Sequence, residues 1–295
     1  GRAGGAAVLR RPESHDYVMA FENDSGQLGI AASVDGLSWR SSTAETIFDD
    51  PPATEFGEVE RRAPSLLRWG PEGQSPRYHM WFEGESEAEE LNTAVVHAES
   101  LDGLTWSDAG EGPVAIEPAE EPAWRRQVGQ PTVVVLENGT LFMLFVGRDP
   151  ATGVTVMGSA RSTDGAEWSL DDGPVQLEGI EEAGFGRDGL AHPALTRRGS
   201  RLELWLAGVD GARSSIGYAV GDEDGVFSFV GVALEGEQPW EVRRVGGRSV
   251  LSSPSADGVS GVATLSLFYQ AGAPGHETIG LATREVPGQA VEPTD

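Results

Sequence analysis

The chain has 295 residues, a length that suits one or two domains and leaves room for a large core. Its formal net charge is −26 and every basic side chain is an arginine, so it lacks the basic excess that binds a nucleic-acid backbone or an anionic membrane. The absence of cysteine excludes disulfides, thiolate metal sites and a cysteine nucleophile, and no apolar run is long enough to span a bilayer.

The composition favours short strands joined by tight turns over helices, because the chain has 40 glycines, 18 prolines and eight tryptophans. One pattern, A-x-S-x-D-G-x-x-W, starts at Ala31, Ala98 and Ala160, with a weaker copy over 219–227 and the beginning of a fifth at Ala282. Repeats of about sixty residues are typical of propeller blades with generous loops, whereas a right-handed β-helix, the main rival, has much shorter repeats.

Each repeat is predicted to hold four strands. The first opens on a strand at 6–9, and the third, the clearest, has the apolar runs 132–136 and 141–146 on either side of an Asn-Gly turn, which predicts a hairpin. A third strand carries the A-x-S, and a fourth follows the tryptophan, at 112–116 and 173–177. We therefore predict one all-β domain over 1–295, a five-bladed β-propeller with four-stranded antiparallel blades around a central channel. Its blades are expected at roughly 1–59, 60–123, 124–184, 185–245 and 246–295.

The D-G-x-x-W turn is predicted to be structural rather than catalytic. Its aspartate can accept hydrogen bonds from turn amides, its glycine supplies a positive φ, and its tryptophan can fill the gap between blades.

These S-x-D-G-x-x-W turns resemble those of the five-bladed glycoside hydrolases of families 43 and 32 and their relatives. The prolines that open most first strands, and the segment Met80-Trp81-Phe82-Glu83-Gly84, carry the same resemblance over nearly the whole chain. It implies catalytic carboxylates at the starts of innermost strands, an aspartate in each of the first two blades and a glutamate in the third. The matching positions here are not acids: Gly5, Ala63, Gln130, His192 and Ser253.

The topology predicts which face binds a ligand. The start of strand one and the end of strand two lie on the same face of a meander, opposite the D-G-x-x-W turn. The loops before strand one repeat an aromatic residue beside an arginine. The ring of such a pair can stack on a sugar, and the guanidinium can bind the hydroxyls or carboxylate of that sugar. The alternative is that the arginines pair with nearby acids and the rings pack between blades. The substrate-binding candidates from both sets of loops and the strand starts are Arg62, Trp124, Arg126, Gln130, Arg148, Arg187, His192, Trp240 and Arg244.

The loops after strand two are acidic. Glu83 and Asp149 lie there, and carboxylates that converge on a channel can act as acid and base or hold Ca²⁺. Asp188, between Arg187 and the strand that contains His192, completes the set of catalytic candidates. The other histidines show no ligand spacing, so we predict no metal site in the sequence, and no cofactor unless a Ca²⁺ ion lies in the central channel.

We expect a carbohydrate-active propeller whose mouth binds a glycan, an anionic one given its arginines, or another small polar ligand. As an enzyme it would be a divergent glycoside hydrolase; as a binding module it would lack a matched acid and base; as a protein scaffold its mouth would be blocked. We expect no nucleic-acid partner, a monomer, and an extracellular or periplasmic location, with which the absence of cysteine is compatible.

Overall fold

The computed structural model describes residues 4–42, 47–88, 91–110, 113–236, 238, 241, 245–254, 262–272 and 278–287. Five small sheets form a ring, and the prediction of a five-bladed β-propeller is confirmed. The innermost strands contact one another in chain order, and the first strand of the chain contacts the innermost strand of the last blade, which closes the ring.

The first three blades are regular meanders. Blade one contains β1 (Gly4–Arg10), β2 (Tyr17–Glu22), β3 (Leu28–Ser33) and β4 (Arg40–Ser41). Blade two contains β5 (Glu60–Trp69), β6 (Arg77–Glu85), β7 (Thr93–Ser100), β8 (Ser107–Asp108) and β9 (Val114–Ile116). Blade three contains β10 (Gln127–Val135), β11 (Leu141–Arg148), β12 (Thr155–Ser162) and β13 (Ser169–Leu170).

The last two blades depart from the predicted pattern. Blade four contains β14 (Leu177–Glu178), β15 (Gly189–Arg198), β16 (Arg201–Asp210), β17 (Arg213–Gly221) and β18 (Phe227–Leu234). Blade five contains β19 (Val245–Pro254), β20 (Val262–Ala271) and β21 (Thr278–Pro287). A 3₁₀ turn (Ala123–Arg125) and a short helix α1 (Ile180–Ala183) lie in the loops before β10 and β15. Within the described ranges, no helix is long and apolar enough to cross a membrane.

The predicted fourth strand of the third repeat, 173–177, is wrong. The outer strand of blade three is β13, directly after Trp168, and residue 177 instead begins β14, which pairs in parallel with β18 of the next blade. In blade two, β8 takes the same place as β13, while Val114–Ile116 also pairs with β7, so the prediction there holds in part.

The S-x-D-G turns have the structural role predicted for them. In the turn after β12, the Ser162 hydroxyl accepts the amides of Asp164 and Gly165, at 3.2 and 2.8 Å. The Asp164 carboxylate accepts the amides of Ala166 and Glu167, both at 2.9 Å. The same bonds recur after β3 and β7. Because all partners lie within three residues, this motif folds the same way in each blade.

The innermost strands of blades one to four each carry a β-bulge at the same register. The residue in the bulge has a left-handed backbone, with φ of 51° at Gly5, 48° at Ala63, 50° at Gln130 and 52° at His192. Three of these residues are not glycine, so the fold imposes the conformation against its steric cost.

The register of β19 shows which part of blade five corresponds to the bulges of blades one to four. The shift in blade five falls between Gly247 and Ser249, whereas Ser253 pairs with Thr264 nearer the other end of the strand. Ser253 is therefore not the counterpart in blade five of Gly5, Ala63, Gln130 and His192. Ser249 also accepts the Val8 amide of blade one at 3.1 Å, as Ser65 accepts the Val133 amide of blade three at the same distance.

Candidate functional site

Side chains from one blade accept hydrogen bonds from the bulge amides of the next. The Gln270 amide oxygen accepts the Gly5 amide at 3.3 Å, and the buried Glu22 carboxylate accepts the Ala63 amide at 2.9 Å. Between blades three and four, the Gln130 side-chain oxygen accepts the His192 amide at 2.7 Å. The bulge turns these amides away from their own ladder, so each needs an acceptor from outside its strand.

Glu83 lies at the end of β6 and, like Glu22 of β2, pairs with the residue directly before the bulge of the innermost strand. Gln270 near the end of β20 pairs with Gly246, just before the register shift of β19. The Glu83 carboxylate lies against Gly129 of blade three, where an added Cβ would be only 2.1 Å from Oε2. The same position in blades three and four holds Val146 and Ala207. Polar acceptors at or next to this position therefore come from blades five, one and two.

A cavity of about 400 Å³ opens between blades two and three, and we call it the mouth cavity. Its polar lining includes Arg62, Glu83, Glu85, Gln127, Gln130 and Arg148. Four of these six, Arg62, Glu83, Gln130 and Arg148, are candidates from the sequence. These four residues lie together because the starts of β5 and β10 and the ends of β6 and β11 meet at the mouth cavity, on the face that the meander topology predicts for ligand binding.

The Arg62 guanidinium binds three carboxylates. The distances are 3.1 Å to Glu60, 3.3 Å to Glu83 and 2.5 Å to Glu85. Burial of the guanidinium opposes its charge, but these carboxylates outweigh it and raise the pKa of Arg62.

Arg148 differs from Arg62 because its guanidinium is exposed and makes no hydrogen bond or ion pair with any residue in the described part of the chain. Gln127 next to it donates to Asn92 at 2.8 Å, which fixes an amide pair in the cavity wall. The cavity thus combines an arginine bound to three carboxylates, an arginine with no side-chain partner among the described residues, and amides that can bind hydroxyl groups.

Two aromatic residues before innermost strands, Trp124 and Phe185, pack on glycines of their own blades. Trp124 covers Gly147, where an added Cβ would lie 2.3 Å from the indole, and the ring also stacks on Phe145. Phe185 is buried and covers Gly208 in the same way. This packing accounts for the aromatic residues of the pattern in blades three and four. Arg126 beside Trp124 pairs with Glu120 at 3.3 Å.

Arg187, Asp188 and His192 contact different partners. Arg187 is 77% exposed and pairs with Asp210 at 3.4 Å, while Asp188 accepts the Gly211 amide at 2.6 Å. The His192 ring instead lies against Gly246 of blade five and lines a separate cavity of about 270 Å³. Asp188 thus lies at the turn between β16 and β17, whereas the His192 ring lies beside blade five.

Asp149 stabilises its own turn. It accepts the Thr152 hydroxyl at 2.8 Å and the Ala151 amide at 2.9 Å, and these two bonds lower the pKa of Asp149. Of the three catalytic candidates, only Glu83 lines the mouth cavity. The candidates Trp240 and Arg244 lie outside the described residues.

Comparison with protein-family models and with curated proteins finds no match. Among solved structures, a thermostable family-43 glycoside hydrolase is similar with a TM-score of 0.66 at 15% identity, covering 99% of this chain and 95% of that one. The endo-arabinase from Bacteroides thetaiotaomicron has a TM-score of 0.64 at 16% identity, covering 97% of this chain and 94% of that one. An N-acetylgalactosamine deacetylase from F. plautii has a TM-score of 0.67 at 14% identity, covering 97% and 89%. This chain shares their fold. The five-bladed propeller that its repeats predict is the propeller of those structures.

Asn92 and Gln127, which line the mouth cavity, were absent from the sequence-based candidates, whereas Glu22 and Glu85 belong to the acidic loops after strand two from which candidates were drawn. Their roles depend on strand register, since Glu22 faces the next blade only because it pairs with Gly4 beside the bulge. The signal in the sequence is the recurrence of a polar residue, Glu22, Glu83 and Gln270, at the end of strand two in three repeats.

Proposed function

We propose that this propeller is carbohydrate-active and binds a glycan in the mouth cavity between blades two and three. The fold it shares with the family-43 hydrolase and the endo-arabinase supports a carbohydrate ligand. The cavity supports it independently, because amide and charged groups line its wall and leave polar atoms for the hydroxyls of a sugar.

The surroundings of Arg148 are the observation that supports an anionic ligand. Arg62 already contacts three carboxylates, whereas Arg148 has no partner in the described part of the chain. A guanidinium at the edge of a polar cavity pairs bidentately with a carboxylate, and its planar fork also fits a sulfate. The proposed ligand is therefore a glycan with a uronic or sulfated sugar placed against Arg148.

The cavity fits binding better than hydrolysis. Glycoside hydrolysis needs one carboxylic acid that is protonated and a second carboxylate that is ionised. Glu83 and Glu85 both contact the Nη2 atom of Arg62, at 3.3 and 2.5 Å, so they share one ion-pair cluster instead of lying in the two contrasting environments that hydrolysis needs. A divergent hydrolase, the second candidate, would use Glu83 as its base, because that carboxylate reaches across to blade three. It would need an acid supplied from outside the described lining of this cavity.

The test is a glycan panel measured by calorimetry with neutral, uronic and sulfated oligosaccharides. Arg148→Ala should weaken binding of the anionic glycan by about tenfold to a hundredfold, the loss expected for a charge-assisted hydrogen bond. Arg10→Ala is the matched control, since Arg10 is also exposed but ends β1 at the hairpin, away from the mouth. Reducing-end release from the bound glycans separates the two candidates.

Binding of anionic glycans that Arg148→Ala weakens and Arg10→Ala leaves alone would support the proposal. Equal binding of neutral and anionic glycans would remove the anionic part of the proposal. Absence of binding across the panel, or loss of affinity in neither variant, would overturn the mouth cavity as the site. Hydrolysis that Glu83→Gln abolishes would favour the hydrolase.

A further inference from the structure

A second group of polar side chains lies in blade two, near the hairpin end of β5 and β6 and away from the mouth. His79 pairs with Glu99 across β6 and β7, and His97 lies two residues before Glu99 on the same face of β7. Both imidazoles are buried, while Glu99 is partly exposed. The ligand atoms of the three residues all lie within 4.8 Å of one another.

The hydrogen bonds define which ring nitrogen of His79 faces the group. His79 Nε2 is 3.2 Å from the Trp69 carbonyl, which can only accept, so Nε2 carries the proton. His79 Nδ1 therefore presents a lone pair to His97 Nε2 at 2.9 Å. A histidine whose second nitrogen donates to a backbone carbonyl has the orientation that metal-binding histidines use.

Glu99 is oriented toward the same point. Its Oε2 accepts Arg77 at 2.9 Å, while its Oε1 lies 3.8 Å from His79 Nδ1. Arg77 thus holds one oxygen and leaves the other directed at the histidines. Because Glu99 is partly exposed, its side of the group gives a path from solvent.

We propose that His79 Nδ1, His97 Nε2 and Glu99 Oε1 bind a divalent cation of the zinc class. Zinc takes nitrogen and carboxylate oxygen ligands at about 2.0–2.2 Å, which in a tetrahedron places neighbouring ligand atoms about 3.3 Å apart. The distances of 2.9 and 3.8 Å lie on either side of that value. Two nitrogens and one oxygen leave the fourth position of the tetrahedron to water.

Binding would replace the hydrogen bond between the two rings. His97 moves its proton from Nε2 to Nδ1, an atom with no partner in the described part of the chain, and both imidazoles stay neutral. Other blades place Val18, Phe142 and Glu203 at the register of His79, so the group is a feature of blade two rather than of the repeat. The cation would tie β6 to β7, and its binding does not depend on the glycan site.

The experiment titrates Zn²⁺ into the full chain after treatment with chelator, by calorimetry, and repeats the titration with Co²⁺ followed by visible absorption. We expect one ion per chain with a dissociation constant below about 100 µM, and tetrahedral Co²⁺ bands. Glu99→Gln and His79→Gln should each weaken binding at least about tenfold. Glu137→Gln, at an exposed glutamate in the hairpin of blade three, is the control and should bind as the parent chain does.

Glu99 is partly exposed, so Glu99→Gln keeps the core intact and tests the site even where His79→Gln unfolds the blade. Circular dichroism of each variant checks folding. Absence of saturable binding in the parent chain, or binding that Glu99→Gln leaves unchanged, would overturn the proposal.

Discussion

The left-handed backbone at Ala63 makes a quantitative prediction. Ala63 is 4% exposed and has a φ of 48°, in a region that disfavours any residue with a Cβ. Ala98 is 0% exposed and lies in the regular strand β7. Replacing each alanine by glycine removes the same buried methyl group and adds the same freedom to the unfolded chain, so the two variants differ in backbone strain alone.

The expected free energies follow from that comparison. At Ala98, loss of a buried methyl costs about 0.8 kcal/mol and the added freedom of glycine costs about 0.5–1 kcal/mol. Ala98→Gly should therefore lower the free energy of unfolding by about 1.5 kcal/mol. At Ala63 the same losses are offset by relief of a left-handed strain of about 1–2 kcal/mol, so Ala63→Gly should be close to neutral.

Urea unfolding followed by tryptophan fluorescence measures both variants against the parent chain at equal slope. A difference of about 1–2 kcal/mol between them is predicted. Equal destabilisation by Ala63→Gly and Ala98→Gly would refute the argument that the fold holds the bulge in a strained conformation.

Three further predictions concern the turns and the packing of the blades. Ser162→Ala leaves the buried Gly165 amide without its acceptor and should cost about 1–3 kcal/mol in urea unfolding; an unchanged midpoint would contradict the role of the turn. Gly147→Ala places a Cβ 2.3 Å from the Trp124 ring and should lower the melting temperature, at a cost of about 1–3 kcal/mol; a higher melting temperature would show that Trp124 does not pack there. Turn amides lower the pKa of Asp35 to about 2 from an ordinary value of 3.8, so its contribution to stability is complete above pH 3.8 and is lost as the pH falls toward 2. Asp35→Asn should therefore flatten the loss of stability in acid, and an identical acid limb would contradict the assignment.

The fold was predictable because its strongest signal is local. The hydrogen bonds of the S-x-D-G turn join residues within three positions, for example Ser162 to Gly165, so the same letters produce the same turn in each repeat. The fourth strand of the third repeat was mispredicted because β14 pairs with β18, about fifty residues further along the chain. No local pattern shows which blade a two-residue strand will join.

The site was predictable only in part, for a related reason. Arg62, Glu83, Gln130 and Arg148 could be predicted to lie together because a meander fixes which loops share a face. The packing of Trp124 on Gly147 depends on a contact between separate strands, so the same ring suggested a sugar platform in the sequence. Pairing of strands, rather than residue type, decides which polar groups face the cavity.

The most direct test of the proposed function is a crystal structure of the chain with the oligosaccharide that binds most tightly in the glycan panel. The account predicts density for the sugar in the mouth cavity between blades two and three, with its acidic group paired to Arg148. A sugar bound on the outer strands or in the cavity beside His192, with the mouth cavity empty, would contradict it.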